Sequence, residues 1–513
     1  MTRERWGTKL GIILAVAGSA VGLGNFLRFP VQAAQNGGGA FMIPYFISFL
    51  ILGIPLMWIE WAIGRHGGLF GHGTAPFIFT RLSKNRVVKY LGTIGVFGPV
   101  VIFIYYTYIE SWLLGYAFFA ATGKFLALTT PESMSGFLSA YQGLAPQSNV
   151  WTAYLFFIIT FIINFSIIYR GIKGGIEALC KIAMPLLFAM AIIIAIRVLT
   201  LGAPSAAHPD WNIVNGLGFL WNPDLSVLTD ARVWLAAAGQ IFFTLSVGIG
   251  AILTYASYLS HGDDVVLSGL TAASTNEFAE VVLGGSIVIP AAFAFLGLAG
   301  AQAVAQSGAF NLGFVTMPLI FCQIPLGQLF SFLWFSLLFL AGITSSVSLL
   351  EPAVSFVSDE FELPRKKAVL RLAVILFILC QFPIFFLARG VVDEMDFWGG
   401  TFCLVLFATI ETVLFMWVFG LEKAWEEIHK GAELRIHPVY KFIMKYVTPL
   451  FLFIILGAWF FQQGLPVILM KGVSSENVPY VLATRLGLIG LFIAIAILVR
   501  IAWYRKKRLG LME

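Results

Sequence analysis

The sequence predicts an all-α polytopic membrane protein with twelve transmembrane helices, and three observations carry that prediction. Of its 513 residues, 59% are hydrophobic and only 11% charged, with a mean hydropathy of +0.89, whereas in an ordinary soluble domain roughly a quarter of the residues are charged. Twelve apolar runs reach about 20 residues, the length that crosses ~30 Å of hydrocarbon at 1.5 Å per residue. Lys and Arg cluster in alternate connections between those runs, as expected of loops that resist translocation.

The runs fall near 9–31, 39–64, 88–121, 151–169, 175–199, 233–256, 267–300, 326–350, 367–388, 397–420, 447–464 and 484–502. With the N-terminus inside, the inner side collects most of the 32 basic residues: Arg3, Arg5 and Lys9, then those of 65–89, 170–181, 365–371 and 423–445 and the tail 500–508. Both termini are therefore placed in the cytoplasm of a multi-pass protein of the inner or plasma membrane. The net charge of +6 is then topological and calls for no nucleic acid. The start "MTRERWGTKLGIILAVAGSA" has the layout of a signal peptide, but its apolar run continues past the cleavage position and is read as the first span.

Cys180, Cys322, Cys380 and Cys403 are isolated in apolar surroundings and read as inert thiols. No Pro/Ser-rich linker divides the chain, so residues 1–513 read as one transmembrane domain. The longest external stretches lie near 122–150 and 200–232, with a partly apolar hairpin at 301–325. "GLEKAWEEIHKG", 420–431, alternates charge at helical spacing and reads as a cytoplasmic surface helix.

The first span contains "AVAGSAVGLGNFLRFP", 15–30, in which Gly18, Gly22, Gly24, Asn25 and Arg28 each weaken or charge a membrane helix. Ala-Val-Gly-Leu-Gly at 20–24 is echoed by Ser-Val-Gly-Ile-Gly at 246–250 in the sixth span, with Ser19 and Thr244 as the nearby polar residues. Small faces such as Gly18-x-x-x-Gly22 also serve close helix packing. Paired glycine interruptions at matching places in successive five-span units point instead to inverted repeats, about 9–199 and 233–420, followed by two additional helices within 447–502.

A helix unwound in hydrocarbon leaves backbone groups that cost several kcal/mol each unless something binds them. Exposed carbonyls suit a small hard cation such as Na⁺, and the amides opening the next half-helix suit a carboxylate. Asn25, Thr244, Asn276, Thr344 and Ser345 add uncharged oxygens within the spans, although Ser and Thr there commonly bond their own backbone. Charged residues at membrane depth are Arg28, Glu60, Glu110, Glu277, Glu280, Glu351 and Asp396, with Glu60 and Glu110 the first candidates for purely structural roles.

At these residues a resemblance emerges. "AVGLGNFLRFP", "NGGGAFMIPY", "GIPLMWIEW", "IYYTYIESW", "GQIFFTLSVGIGAILTYASY", "NEFAE" and "AGITSSVSLLEP" resemble, in order from residue 3 to about 445, the neurotransmitter:sodium symporter family, and most closely its bacterial leucine-transporter branch. The resemblance implies broken helices 1 and 6 and two Na⁺ sites. The first is the Ala20 carbonyl, Asn25, Thr244 and Asn276 with the substrate carboxylate. The second is the carbonyls of Gly18, Val21 and Ala341 with the hydroxyls of Thr344 and Ser345.

It further implies an α-amino acid whose carboxylate meets Leu23, Gly24 and Tyr106 and whose amine meets Ala20, Phe243, Thr244 and Ser246. The side chain would lie among Val21, Ile102, Tyr106, Phe243, Ile249, Ser345 and Leu349. Gly22 stands where monoamine-transporting members place an Asp, so the substrate brings its own carboxylate. Glu280 stands where chloride-dependent members have a Ser, which implies chloride independence and a carboxyl able to exchange a proton on the return step. Arg28 and Asp396 would gate the outside through water. Arg3 with Asp359, and Trp6, Ser257 and Tyr258, would close the inside. Ser19, Ile249 and Glu351 depart from the bacterial pattern, at an Asn, a pocket-walling Phe and a Gln.

The reading is thus a sodium-coupled, chloride-independent importer of neutral, hydrophobic amino acids, with the lipid bilayer as its surroundings and room for a homodimer. A sodium-independent transporter of the same fold, or a receptor that binds without transporting, would keep the same pocket. A channel would show a continuous polar stripe along one helix, whereas the polar residues here cluster at mid-span. No nucleophile motif or phosphate loop supports an enzyme, and the six histidines fall in loops, in the 420–431 helix or at a span's end.

Overall fold

A computed structural model describes residues 4–510 and is helical throughout, with no strand among the described residues. Among the described residues ten helices are long and apolar enough to cross a membrane: Gly39–Leu69, Val88–Ala121, Trp151–Tyr169, Ile172–Leu199, Val265–Gln306, Gly327–Phe361, Arg365–Phe385, Val391–His429, Val439–Ile468 and Val478–Arg508. They are spans 2, 3, 4, 5, 7, 8, 9, 10, 11 and 12. Span 1 is a bent pair, Lys9–Ala20 and Gly24–Gln35, turned by 45° at the break. Span 6 is likewise two pieces, Ala231–Leu245 and Ala251–Ala256.

Both interruptions fall at the glycine pairs the sequence marks. Val21 leaves the helix in an extended conformation. In span 6 the chain passes through the left-handed region at Ser246 (φ 54°), Gly248 (φ 77°) and Gly250 (φ 93°). Only glycine fits the last two, because a Cβ on Gly248 would stand 2.3 Å from the Leu404 carbonyl and one on Gly250 2.5 Å from the Gly95 carbonyl. The unwound Gly248 N–H is taken by the Glu60 carboxylate from span 2. The structural role expected of Glu60 is therefore specific: it satisfies a backbone group that hydrocarbon would leave bare.

Span 3 is the centre of the molecule, with 89% of its apolar window buried, against 28% for spans 11 and 12. Span 3 packs along span 8. Glu110 in span 3 accepts two bonds from Asn164 in span 4, at 3.1 and 3.3 Å, and Ser346 of span 8 donates to that Asn at 2.6 Å. Glu110 thus ties three spans together, again a structural role. Spans 11 and 12 leave Leu450, Phe461, Leu486 and Ile489 exposed, as a lipid-facing periphery requires.

Outside the spans, four short helices pack on the ends: Ala75–Leu82, Pro131–Tyr141, Ile213–Trp221 and Ala309–Asn311 continued through Met317–Cys322. The first has no counterpart in the sequence reading. The last, with Gly297 kinking the end of span 7 (φ 66°), forms the hairpin expected near 301–325.

Residues 420–431 are expected to be a cytoplasmic surface helix, and Arg65 only one of the basic residues of the inner side. The helix Leu421–His429 forms there, set off from span 10 by Gly420 (φ 103°), and Arg65 is fully buried beneath it. Its guanidinium donates to the Asp263 and Lys430 carbonyls, each at 2.6 Å, to the Glu427 carbonyl, and to the Glu427 carboxylate at 3.2 Å. Glu427 also takes Lys430 at 2.6 Å and lies 3.5 Å from His66. Of that helix's charges only Glu427 faces inward, onto Arg65, while Glu422, Lys423 and Glu426 stay exposed.

Truncating one member of a buried charge pair strands the other, at about 3–5 kcal/mol. Arg65→Ala is therefore expected to lower the thermal unfolding midpoint of the detergent-solubilised protein far more than Lys9→Ala, whose partner Glu433 is exposed.

Candidate functional site

The two breaks face one another across a single cavity. Its lining brings together Ala20, Gly22, Leu23, Gly24, Ile102, Tyr106, Phe243, Thr244, Ser246, Ile249, Ser345 and Leu349, the expected pocket residues except Val21. Val21 is buried, and its N–H closes the last turn of the first half-helix on the Ala17 carbonyl at 2.7 Å. Ser19, Asn25, Tyr105, Ser348, Gly400 and Leu404 complete the wall. Ser348 was legible in principle, since it lies one helical turn beyond Ser345 and shares its face. Gly400 and Leu404, from span 10, carry no sequence signal.

Glycine is needed at the first break for room. A Cβ on Gly24 would come within 2.7 Å of the Phe243 ring, and one on Gly22 would stand 3.0 Å from the Ser345 hydroxyl and 3.8 Å from the Tyr106 hydroxyl. The Ala20 carbonyl lies 3.8 Å from that same point, so it borders the cavity.

On one side of the breaks, Asn25, Thr244, Asn276 and Glu280 form a fully buried cluster. The Asn25 Oδ1 accepts the Gly22 N–H at 2.8 Å, and its Nδ2 donates to Asn276 Oδ1 at 2.9 Å and to Thr244 Oγ1 at 3.3 Å. Asn276 Nδ2 donates to Thr244 Oγ1 at 2.9 Å, and the Thr244 hydroxyl donates to Glu280. Gln240 Nε2 holds the other Glu280 oxygen at 2.5 Å. Neutral oxygens backed by one carboxylate are a donor set for a small hard cation.

On the other side, the Ser345 hydroxyl lies 3.0 Å from the Ala341 carbonyl, 3.2 Å from that of Ser19 and 3.5 Å from that of Gly18. Thr344 bonds back to Ala341 at 3.1 Å and Leu340 at 3.0 Å, the local bond expected of a membrane-helix Thr. Gly18, Ala341, Thr344 and Ser345 are thus brought together as an uncharged oxygen set, while nothing in these contacts adds Val21 to it.

Above the cavity the Arg28 guanidinium lies 4.2 Å from the centroid of the Phe243 ring, a cation–π contact. Asp396 takes the Tyr105 hydroxyl at 2.5 Å. Each expected outer-gate residue therefore holds an aromatic beside the cavity.

Below the cavity, Trp6 Nε1 donates to the Tyr255 carbonyl at 2.9 Å, and the Ser257 hydroxyl turns back to Thr254 at 2.5 Å. Tyr258 donates to Glu351 at 2.7 Å, and Arg365 grips the same carboxylate at 2.7 and 2.6 Å. Asp359 accepts Ser355 at 3.0 Å, while its expected partner Arg3 lies outside the described residues. Arg365, read from sequence as a loop charge, is a member of this inner network.

Two helices broken at mid-depth around one enclosed cavity, flanked by two buried oxygen clusters, define a membrane transporter rather than a pore. Comparison with known proteins agrees. The sodium:neurotransmitter symporter family matches residues 3–132 and 137–507. An uncharacterised sodium-dependent transporter of Methanocaldococcus jannaschii is 33% identical over 466 residues, covering 88% of this chain and 89% of its own. The sodium- and chloride-dependent GABA transporter 2 of Rattus norvegicus is 25% identical over 500 residues, covering 88% of this chain and 78% of its own. The crystal structure of MhsT in complex with L-phenylalanine superposes with a TM-score of 0.75 at 32% identity, covering 88% of this chain and 99% of that one. The chain belongs to the sodium:neurotransmitter symporter family; it is a sodium-coupled transporter and not an enzyme.

Asn25 has more partners than any other residue of the first cluster. Asn25→Ala is expected to raise the Na⁺ concentration for half-maximal uptake into proteoliposomes about tenfold or more, which corresponds to the loss of ~1.4 kcal/mol of net interaction.

Proposed function

We infer that the protein imports neutral, hydrophobic α-amino acids together with Na⁺, without chloride, by alternating access across a cell membrane with both termini in the cytoplasm. One observation carries the substrate class: none of the side chains lining the cavity is charged. A ligand held there between exposed backbone amides and carbonyls must bring both a carboxylate and an ammonium. Gly22 leaves the carboxylate position open, and Ile102, Ile249 and Leu349 offer an apolar wall. The phenylalanine in the MhsT complex supports the same class.

The cluster of Ala20, Asn25, Thr244 and Asn276 would hold one Na⁺ and that of Gly18, Val21, Ala341, Thr344 and Ser345 a second. In the first, Asn25 has its Nδ2 toward Thr244 and Asn276 and its Oδ1 on the Gly22 N–H. Meeting a cation turns the carboxamide over and gives up that N–H, which joins the Leu23 and Gly24 amides in facing the substrate carboxylate. Ion and substrate then favour one another, and the coupling is reciprocal. The second cluster has no charge, so it would bind Na⁺ more weakly and release it inward. Glu280, behind the first cluster, supplies the negative charge that chloride supplies in other members. Spans 1, 2, 6 and 7 would rock against the rest, with Arg28 and Asp396 above and Trp6, Ser257, Tyr258 and Asp359 below as the closures.

Equilibrium binding of radiolabelled neutral amino acids to purified protein tests this, in chloride-free Na⁺ or K⁺ salts. Binding is expected in Na⁺ only. Binding that ignores Na⁺ would sink the two-site assignment. Glu280→Ser is expected to bind and transport only when chloride is supplied, and chloride-free transport by that variant at the wild-type rate would refute the role given to Glu280.

A further inference from the structure

One wall of the cavity is built from hydroxyls: Ser19 from span 1, Ser246 from span 6, and Ser345 and Ser348 from span 8. All four are buried, so where each hydrogen goes can be worked out. The Ser348 hydroxyl donates to the Ser345 carbonyl at 2.7 Å. Ser19 Oγ and Ser348 Oγ are 2.7 Å apart, and with the Ser348 hydrogen already placed, both bonds form only if Ser19 is the donor between them. Ser246 donates to the Ser19 carbonyl at 2.9 Å. Ser345 has the carbonyls of Ala341, Ser19 and Gly18 in reach and the Tyr106 hydroxyl beside it, and donates its one hydrogen among these.

Every hydrogen of the four hydroxyls is therefore spent on protein. What they can offer a ligand is lone pairs, two each on Ser19, Ser246 and Ser345 Oγ and one on Ser348 Oγ, because a hydroxyl has one hydrogen and two acceptor sites; under the reading above Ser246 meets the amine and Ser345 the second ion, which leaves Ser19 and Ser348 for the side chain. An aliphatic or phenyl side chain laid on this wall leaves those acceptors without a partner, whereas a side chain carrying an O–H or N–H satisfies one of them.

From this geometry we propose that Ser19 and Ser348 are specificity-determining residues, which select neutral amino acids whose side chains carry a hydrogen-bond donor over their apolar isosteres. The selection rests on the amino-acid reading given above. It also gives a consequence to Ser19, which the sequence marks only as a departure from the bacterial pattern.

The test compares isosteric pairs, tyrosine against phenylalanine and threonine against valine, as competitors for Na⁺-dependent binding to the purified wild-type protein and to Ser19→Ala and Ser348→Ala. One neutral hydrogen bond predicts that the donor-bearing member of at least one pair binds wild type about threefold to tenfold tighter. In each variant that ratio falls toward one, whatever the absolute affinities do. Equal affinities within both pairs in wild type overturn the inference, a result that needs no variant to fold. So does a ratio that survives in both variants. If phenylalanine and valine bind with Na⁺ but their partners do not, the wall rejects donors and the inference again fails, while the symporter reading stands. Absence of Na⁺-dependent binding of all four would instead refute the symporter reading itself, and the inference with it.

Discussion

The structure turns on a backbone constraint. Inside a bilayer an unpaired N–H or C=O has no water to turn to, so a helix can be opened only where other groups take over its bonds. At the first break the Gly22 N–H goes to Asn25 and the Ser19 carbonyl to Ser246, with the Ser345 hydroxyl within reach of the same oxygen. At the second the Gly248 N–H goes to Glu60. The partner for span 6 comes from span 2, and one of those for span 1 comes from span 6. Neither break could persist without the other spans in place, so the site is a property of the assembled fold.

The same logic governs the inner closure. An exposed ion pair contributes about 0–1 kcal/mol and makes a weak latch, but the pair found here, Glu351 with Arg365, is largely buried. Breaking a buried pair in every cycle would be costly. Its two members lie on spans 8 and 9, both outside the bundle proposed to move, so the pair could stay intact. What crosses from span 6 is the Tyr258 hydroxyl bound to that carboxylate, a bond to a charged group worth about 1.5–3 kcal/mol. Under the rocking reading, Glu351 would be an anchored acceptor whose bond to a neutral partner opens, along with the looser contact of Arg365 with Glu4 at 3.8 Å.

Twelve spans and both breaks were legible in the sequence because each leaves a local mark, a run of apolar residues, a glycine where no side chain fits or an amide or carboxyl in the middle of hydrocarbon, whereas the pocket side chains were named only through the resemblance to the family. Arg65 shows where that fails. A basic residue at the end of an apolar run reads as a loop charge, and nothing local reveals that the helix following span 10 folds back over it 362 residues away. Arg365 is misread for the same reason. Gly400 and Leu404 are chosen by packing against the breaks, a long-range relation that a single sequence does not display. The helix Ala75–Leu82 is too short and too ordinary in composition to stand out from the loop it occupies.

The placement of charge around the cavity has an electrical consequence. The lining carries no ionised side chain and a zwitterionic amino acid adds no net charge, so the ions dominate the local field. Under the two-site reading, the first Na⁺ sits beside Glu280, whose carboxylate is held by Thr244 and Gln240 and is not carried off with the ion. The second Na⁺ meets only neutral oxygens. The Glu280 side chain stays with the protein when the cargo leaves, so under that reading two positive charges would be delivered with the amino acid. A charge crossing the membrane potential contributes ~2.3 kcal/mol per 100 mV. Inward movement of the loaded site would then draw on the potential as well as on the sodium gradient. The fixed carboxylate would hold the first ion until the substrate leaves, while the uncharged second cluster would let its ion go before that.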